Sequence, residues 1–218
     1  MTVYITEPPT AAQAVVIWMH GLGADAGDMS GLAEQLNLPQ VAVRHVFMNA
    51  PLRAVTLNNG MLMPAWYDIV GLELIDRQDK EGIEESKLQI CQVMEEQYAA
   101  GFKPQQVYLA GFSQGGAMAM YTALTTATRL GGVIALSGYL PLADRLQPQL
   151  DLSTPFFLGS GQYDPIVLPK WVKMNADWLL EKKYVHLTQH QYPMEHSVCM
   201  DEIRDLSVWL SQRVAENR

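Results

Sequence analysis

The sequence predicts an α/β fold: a mainly parallel sheet with helices on both faces. Three observations predict it. Short apolar runs alternate with amphipathic runs along the chain, the pattern of strands joined by helical crossovers. Several of the short runs are apolar on consecutive positions, as strands buried on both faces must be. One of them passes straight into a helix-like run through a turn with a glycine on each side, "GFSQG" at 111–115.

Taken in order, the strand-like runs are "VVIWM" (15–19), "VAVRHVF" (41–47), "VYLAG" (107–111), "VIALS" (133–137), "PFFLGS" (155–160) and "VHLTQHQY" (185–192). Helix-like runs lie between them. Ile83, Ile90, Met94 and Tyr98 fall on one face of 80–100. Trp171, Met174 and Trp178 do so in 169–183, and Ile203, Leu206, Leu210 and Val214 at the end of the chain. Each stripe is read as core packing. Residues 48–79 show little regular pattern, and so long an irregular segment in a compact domain is expected to be functional.

The chain has 218 residues, 49% of them apolar, which suits a single domain over 1–218 with one large core. Its net charge of -8 argues against binding nucleic acid or anionic lipid, because phosphates would repel it. No stretch reads as a secretion signal or is long enough to span a bilayer, so a cytoplasmic protein without stable membrane insertion is expected. The two cysteines, Cys91 and Cys199, lack metal-like spacing and read as small apolar thiols in a reducing compartment. No metal or cofactor motif is visible.

"GFSQG" matches G-x-S-x-G, and the chemistry explains the spacing. A serine hydroxyl is a weak nucleophile and has to be presented on a sharp strand-to-helix turn, where a base can reach it. Glycines at 111 and 115 let strand and helix approach closely. The main-chain N–H of Gln114 would then face a developing oxyanion, at the positive end of the helix. The bland alternative is a glycine-rich turn in which Ser113 merely caps a helix. In this arrangement an acid and then a histidine follow the serine, each just after a strand. Asp164 in "SGQYDPIV" and His196 in "YPMEHSVCM" fit. Asp144 and Asp151 precede the 155–160 strand, Asp177 lies within a helix, and His45, His186 and His190 lie within strands. His20 reads as a hydrogen-bonding residue that shapes the glycine loop.

That loop, "IWMHGLGADAGDM" (17–29), spells G-x-G-x-x-A after a strand, the setting of a dinucleotide site. The ribose-binding acid such a site needs is missing, since no Asp or Glu occurs between Glu34 and Asp68. The loop instead suits a second oxyanion donor, the N–H of Leu22, opposite that of Gln114.

"HGLGADAGD", "NAPLRAVTLNNGMLMPAWYDI", "DKEGIEES", "GFSQGGAMAMYTAL", "ALSGYLP", "YDPIV" and "EHSVCMDEI" together resemble the carboxylesterase, acyl-protein thioesterase and lysophospholipase family of the α/β-hydrolase fold. The likeness covers nearly the whole chain. It implies a catalytic triad of Ser113, Asp164 and His196, with oxyanion amides at Leu22 and Gln114. It also implies an acyl groove bordered by Leu22, Trp66, Leu72, Ile166 and Val167. The implied substrate is a small-molecule ester or thioester. Members often pair through exposed apolar residues, so a homodimer is compatible with the resemblance. Only 138–154 separates two strands where many lipases insert a cap. An open site for short to medium acyl chains is therefore expected. A thioesterase acting mainly on acylated proteins, another hydrolase chemistry such as a peptidase, and a non-catalytic binding protein on the same fold remain the alternatives.

Overall fold

The computed structural model describes residues 2–71, 73, 75 and 77–217. The chain runs β1 (Val3–Thr6), β2 (Ala14–Met19), α1 (Ala26–Ala33), β3 (Val43–Met48), β4 (Leu52–Val55) and β5 (Met61–Pro64). It continues through α2 (Lys80–Ala99), β6 (Val107–Phe112), α3 (Gln114–Leu124) and β7 (Gly132–Leu136). It ends with β8 (Phe156–Gly161), α4 (Pro169–Glu181), β9 (Leu187–Tyr192) and α5 (Met200–Glu216). The main sheet has seven strands in the order β1-β3-β2-β6-β7-β8-β9. β1 is antiparallel to β3, and every other neighbouring pair is parallel. This is the α/β-hydrolase fold.

The consecutive apolar residues of β2 show why the sheet is covered on both faces. Val15, Ile17 and Met19 pack against residues of α2 and α3, while Val16 and Trp18 pack against α1 and α5. All six residues of β2 are buried. Burial of this kind stabilises by roughly 1.5–3 kcal/mol per large side chain, so a strand with two apolar faces is held only where helices supply both covers.

The six expected strands all form, with ends shifted by one or two residues. Two features were not legible. β1 lies at the sheet edge with Tyr4 and Ile5 58% and 48% exposed, so it carries no buried pattern. Within 48–79, β4 and β5 form an antiparallel hairpin outside the main sheet. Its turn contains Asn59 and Gly60, both at positive φ, and the Asn-Gly pair was the available signal. A third difference corrects a core assignment. Met174 is exposed and borders an open cleft with Trp171, Trp178 and Leu140. The other two stripes are as expected, with Ile83, Ile90 and Met94, and Ile203, Leu206, Leu210 and Val214, buried.

The carboxyl ends of β2, β6, β8 and β9 face one side, and the loops that leave them carry the chemistry-bearing residues. β6 and α3 meet without slack. A methyl group on Gly115 would lie 2.0 Å from the Met19 carbonyl oxygen, and one on Gly111 would lie 2.3 Å from the Gly115 carbonyl carbon. Neither backbone can retreat, so both positions require glycine.

Candidate active site

Ser113 stands between β6 and α3 at φ 55°, ψ -118°, a conformation that L residues rarely adopt. Its N–H is held by the Leu136 carbonyl of β7 at 2.8 Å. The strain presents the side chain outward at the strand end. There Ser113 Oγ lies 2.9 Å from His196 Nε2, and His196 Nδ1 lies 2.7 Å from Asp164 Oδ2. A carboxylate can only accept, so Nδ1 carries the proton and Nε2 is left as an acceptor for the serine hydroxyl. Asp164 is buried, and its other oxygen accepts the N–H groups of Ile166 at 2.8 Å and Val167 at 2.9 Å. Those two bonds fix which carboxylate oxygen faces the imidazole. The Phe112 ring packs against the imidazole at 4.8 Å between centroids.

Leu22 and Gln114 border the same groove as Ser113 and His196. Among the described residues, neither main-chain N–H finds an acceptor in the protein. The loop holding Leu22 is tied down from several sides. Gly23, at φ 75°, donates its N–H to the Pro64 carbonyl at 2.8 Å. His20 is fully buried, and burial lowers its pKa. Its Nδ1–H donates to the Gly21 carbonyl at 2.7 Å, while Nε2 accepts the Ala50 N–H at 3.0 Å. A neutral imidazole satisfies both bonds, as expected of a residue that shapes the loop.

The Gln114 side chain was not singled out by the sequence. It is buried, accepts the Trp66 N–H at 2.9 Å and donates to the Tyr67 carbonyl at 2.8 Å. Trp66 in turn donates its indole N–H to the His20 carbonyl at 2.9 Å. One residue of the elbow therefore binds the irregular segment, and that segment binds the glycine loop.

The groove has a volume of about 370 Å3 and is bordered on its apolar side by Leu22, Leu57, Ile69, Tyr139 and Ile166. Two expected groove residues are corrected. Trp66 and Val167 are fully buried and do not border it: Trp66 points beneath the glycine loop, and Val167 packs into the core. Ile166 is exposed and does border it. Leu72 lies outside the described residues. The competitors stay apart from the serine. Asp144 and Asp177 pair with Arg145 and Lys173, and Asp151 binds Ser153. His45 accepts the Trp18 indole N–H, and burial lowers it to about 4. Among the described residues no cluster of His, Cys, Asp and Glu could hold a metal ion.

Glu202, in the first turn of α5, packs against Gly159 of β8. It is fully buried, and neither carboxyl oxygen has a partner among the described residues. Burial first, and then the nearby Asp205 charge, push its pKa up to about 8. In the unfolded chain a glutamate ionises near 4.3. The folded form thus resists ionisation, so the contribution of Glu202 to stability is fully present below about pH 4 and is lost as pH rises toward about 8. Glu202→Gln is expected to become roughly 3–5 kcal/mol more stable relative to the parent between pH 4 and 8.5. Its unpaired amide adds a constant cost, so the pH dependence is the readout. Urea melts across that range measure it, and a pH-independent difference would mean that ionising Glu202 costs nothing.

A parallel sheet covered on both faces, with Ser, Asp and His gathered at its strand ends, defines a serine hydrolase of the α/β-hydrolase fold. The chain belongs to the phospholipase/carboxylesterase family, whose model matches residues 2–214. It is similar to acyl-protein thioesterase 1 of Yarrowia lipolytica, 37% identical over 96% of each chain. It is also similar to acyl-protein thioesterase 1 of Emericella nidulans, 36% identical over 94% of this chain and 92% of the other. Among solved structures it superposes on acyl-protein thioesterase 2 of Zea mays with a TM-score of 0.84, at 25% identity, over 98% of this chain and 99% of that one. The carboxylesterase of Bacillus cereus shares the fold at a TM-score of 0.77 and 21% identity, over 98% of this chain and 94% of the other.

Proposed function

We propose that this hydrolase cleaves carboxylic esters and acyl thioesters of short to medium chain through an acyl-enzyme on Ser113. The observation that carries the reading is the hydrogen-bonded line from Ser113 Oγ through His196 to Asp164, beside two unoccupied amides in one groove. The similarity to proteins named acyl-protein thioesterase supports including thioesters. Ser113 Oγ attacks the acyl carbon while His196 Nε2 takes its proton. The amides of Leu22 and Gln114 hold the resulting oxyanion. The bond to the leaving oxygen or sulfur then breaks, and His196 returns the proton to that atom. Water attacks the acyl-enzyme by the same route, releasing the acid and restoring the hydroxyl. Asp164 holds the imidazole in the Nδ1–H tautomer throughout. The apolar side of the groove takes the acyl chain. No described helix is long and apolar enough to cross a membrane, and the two cysteines are free, so we assign the enzyme to the reducing cytoplasm.

Labelling by a fluorophosphonate tests the nucleophile. One adduct on Ser113, with loss of turnover of p-nitrophenyl esters and acyl thioesters in step, is the expected result. Turnover that survives full labelling would overturn it.

The donor at position 22 has its own test. Leu22→Ala keeps the N–H and changes the groove wall, so acyl-chain preference should shift more than the rate on a small acetate ester. Leu22→Pro removes the N–H, and loss of one such donor costs about a hundredfold to a thousandfold in kcat. Circular dichroism checks the loop variant for folding. Equal losses for the two folded variants on acetate would show that this amide is not the donor.

A further inference from the structure

The groove beside Ser113 does not end at His196. A second depression of about 630 Å3 continues past the imidazole, between α1 and the start of α5. Phe112, Met29, Asp28 and His196 border both depressions, whereas Ser113, Leu22 and Gln114 border only the first. The second is floored by Gly27 and Gly31 on α1 and walled by Ser197–Met200.

This division assigns the two halves of a substrate, given the proposed mechanism on which the inference rests. The oxyanion and the acyl chain must stay by the amides of Leu22 and Gln114, in the first depression. The departing oxygen or sulfur must lie within reach of His196, which protonates it. The rest of the leaving group therefore extends past the imidazole into the second depression. Among the described residues, one carboxylate and no lysine or arginine borders that path. Asp28 is exposed, accepts only the Asp25 N–H at 3.4 Å, and makes no ion pair among the described residues. The chain as a whole carries a net charge of -8, which adds to the local field.

We propose that the trough between α1 and the start of α5 is the leaving-group subsite, and that Asp28 makes it select leaving alcohols or thiols bearing a positive charge. A carboxylate at the junction attracts a cation a few bonds from the reacting sulfur and repels an anionic one. Gly31 faces open space on this side of α1, since a Cβ built there meets nothing within 4 Å.

The test uses two thioesters of one acid, butyrylthiocholine and S-(3,3-dimethylbutyl) thiobutyrate. Their leaving groups have the same shape and differ in carrying N+ or C. Each kcat/KM is divided by the hydroxide-catalysed rate of the same ester. At low salt the ratio of the cationic to the neutral ester is expected at roughly three- to tenfold, the worth of one partly solvated charge pair. It should fall toward one in Asp28→Asn and at high ionic strength, and below one in Asp28→Lys. Asparagine keeps an acceptor for the Asp25 N–H. A second variant tests the path independently. Gly31→Leu adds a side chain in open space on a helix, and should lower kcat/KM for an S-butyryl cysteine pentapeptide relative to butyrylthiocholine. Turnover of both small esters with no preference, or a preference untouched by Asp28→Asn, overturns the charge selection. An unchanged peptide ratio in Gly31→Leu overturns the trough as the path. Absence of turnover on every ester overturns the hydrolase mechanism itself, and this proposal with it.

Discussion

Ser113→Ala is expected to lower kcat on acyl esters by about a millionfold, as removal of a serine nucleophile does elsewhere, with the fold intact. The hydroxyl makes the only bond that can become the acyl-enzyme, and no neighbouring side chain can replace it. Alanine keeps the Cβ and leaves the glycines that permit the turn unchanged. The backbone strain at φ 55° stays, while the side-chain bond to His196 is lost. Stability is expected to stay the same or rise slightly, as commonly found when a strained functional residue is simplified. Kinetics on a p-nitrophenyl ester and a thermal melt on one preparation measure both. Wild-type turnover in the folded variant would remove Ser113 from the mechanism.

Asp164→Asn is expected to cost about ten-thousandfold in kcat, the size seen for the equivalent change in a serine protease. The geometry explains why an isosteric change does such damage. Oδ1 accepts the N–H groups of Ile166 and Val167, so an asparagine must keep its oxygen there. Its NH2 then faces His196 at the place of Oδ2, which lies 2.7 Å from Nδ1 in the parent. The imidazole can accept that donor only by moving its proton to Nε2, where it can no longer take one from Ser113. The loss should appear in kcat, with little change in KM. A loss smaller than tenfold would mean that other contacts hold the histidine, Phe112 foremost. Asp144→Asn is the comparison, since that carboxylate is exposed and, among the described residues, pairs only with Arg145; a larger loss there would mean that the wrong acid had been chosen.

The parts of the site legible in the sequence are those where chemistry restricts residue type. Gly111, Ser113 and Gly115 are required by a turn with no room for side chains, so their spacing announces it. Asp164 and His196 are legible because each follows a buried strand in the required order. The other parts depend on which way a side chain points, and spacing does not encode that. Trp66 reads as a groove wall because it lies in an irregular apolar stretch; in three dimensions its indole N–H finds the His20 carbonyl and the ring turns inward. Val167 is displaced by one position from the residue that faces the groove, Ile166, because the loop turns around Asp164. The β4–β5 hairpin escapes notice because main-chain bonds hold it, with most of its side chains only partly buried or exposed, and these leave no hydrophobic period. Met174 illustrates the converse: a helical stripe can read as buried and still emerge at the surface.

The bond between the Gln114 side chain and residues 66–67 divides the long loop into parts with different freedom to change. Residues up to Tyr67 are bolted to the anion cradle, and a substitution there reaches the reaction itself. Among the described residues from Asp68 to Gln78, none hydrogen-bonds to Leu22, Ser113 or Gln114, and Ile69 borders the same groove. Lineages or engineers can therefore rewrite that second stretch to admit other acyl chains and leave the catalytic apparatus as it is. Acceptance and reactivity become separately adjustable traits, with one glutamine marking the border between them.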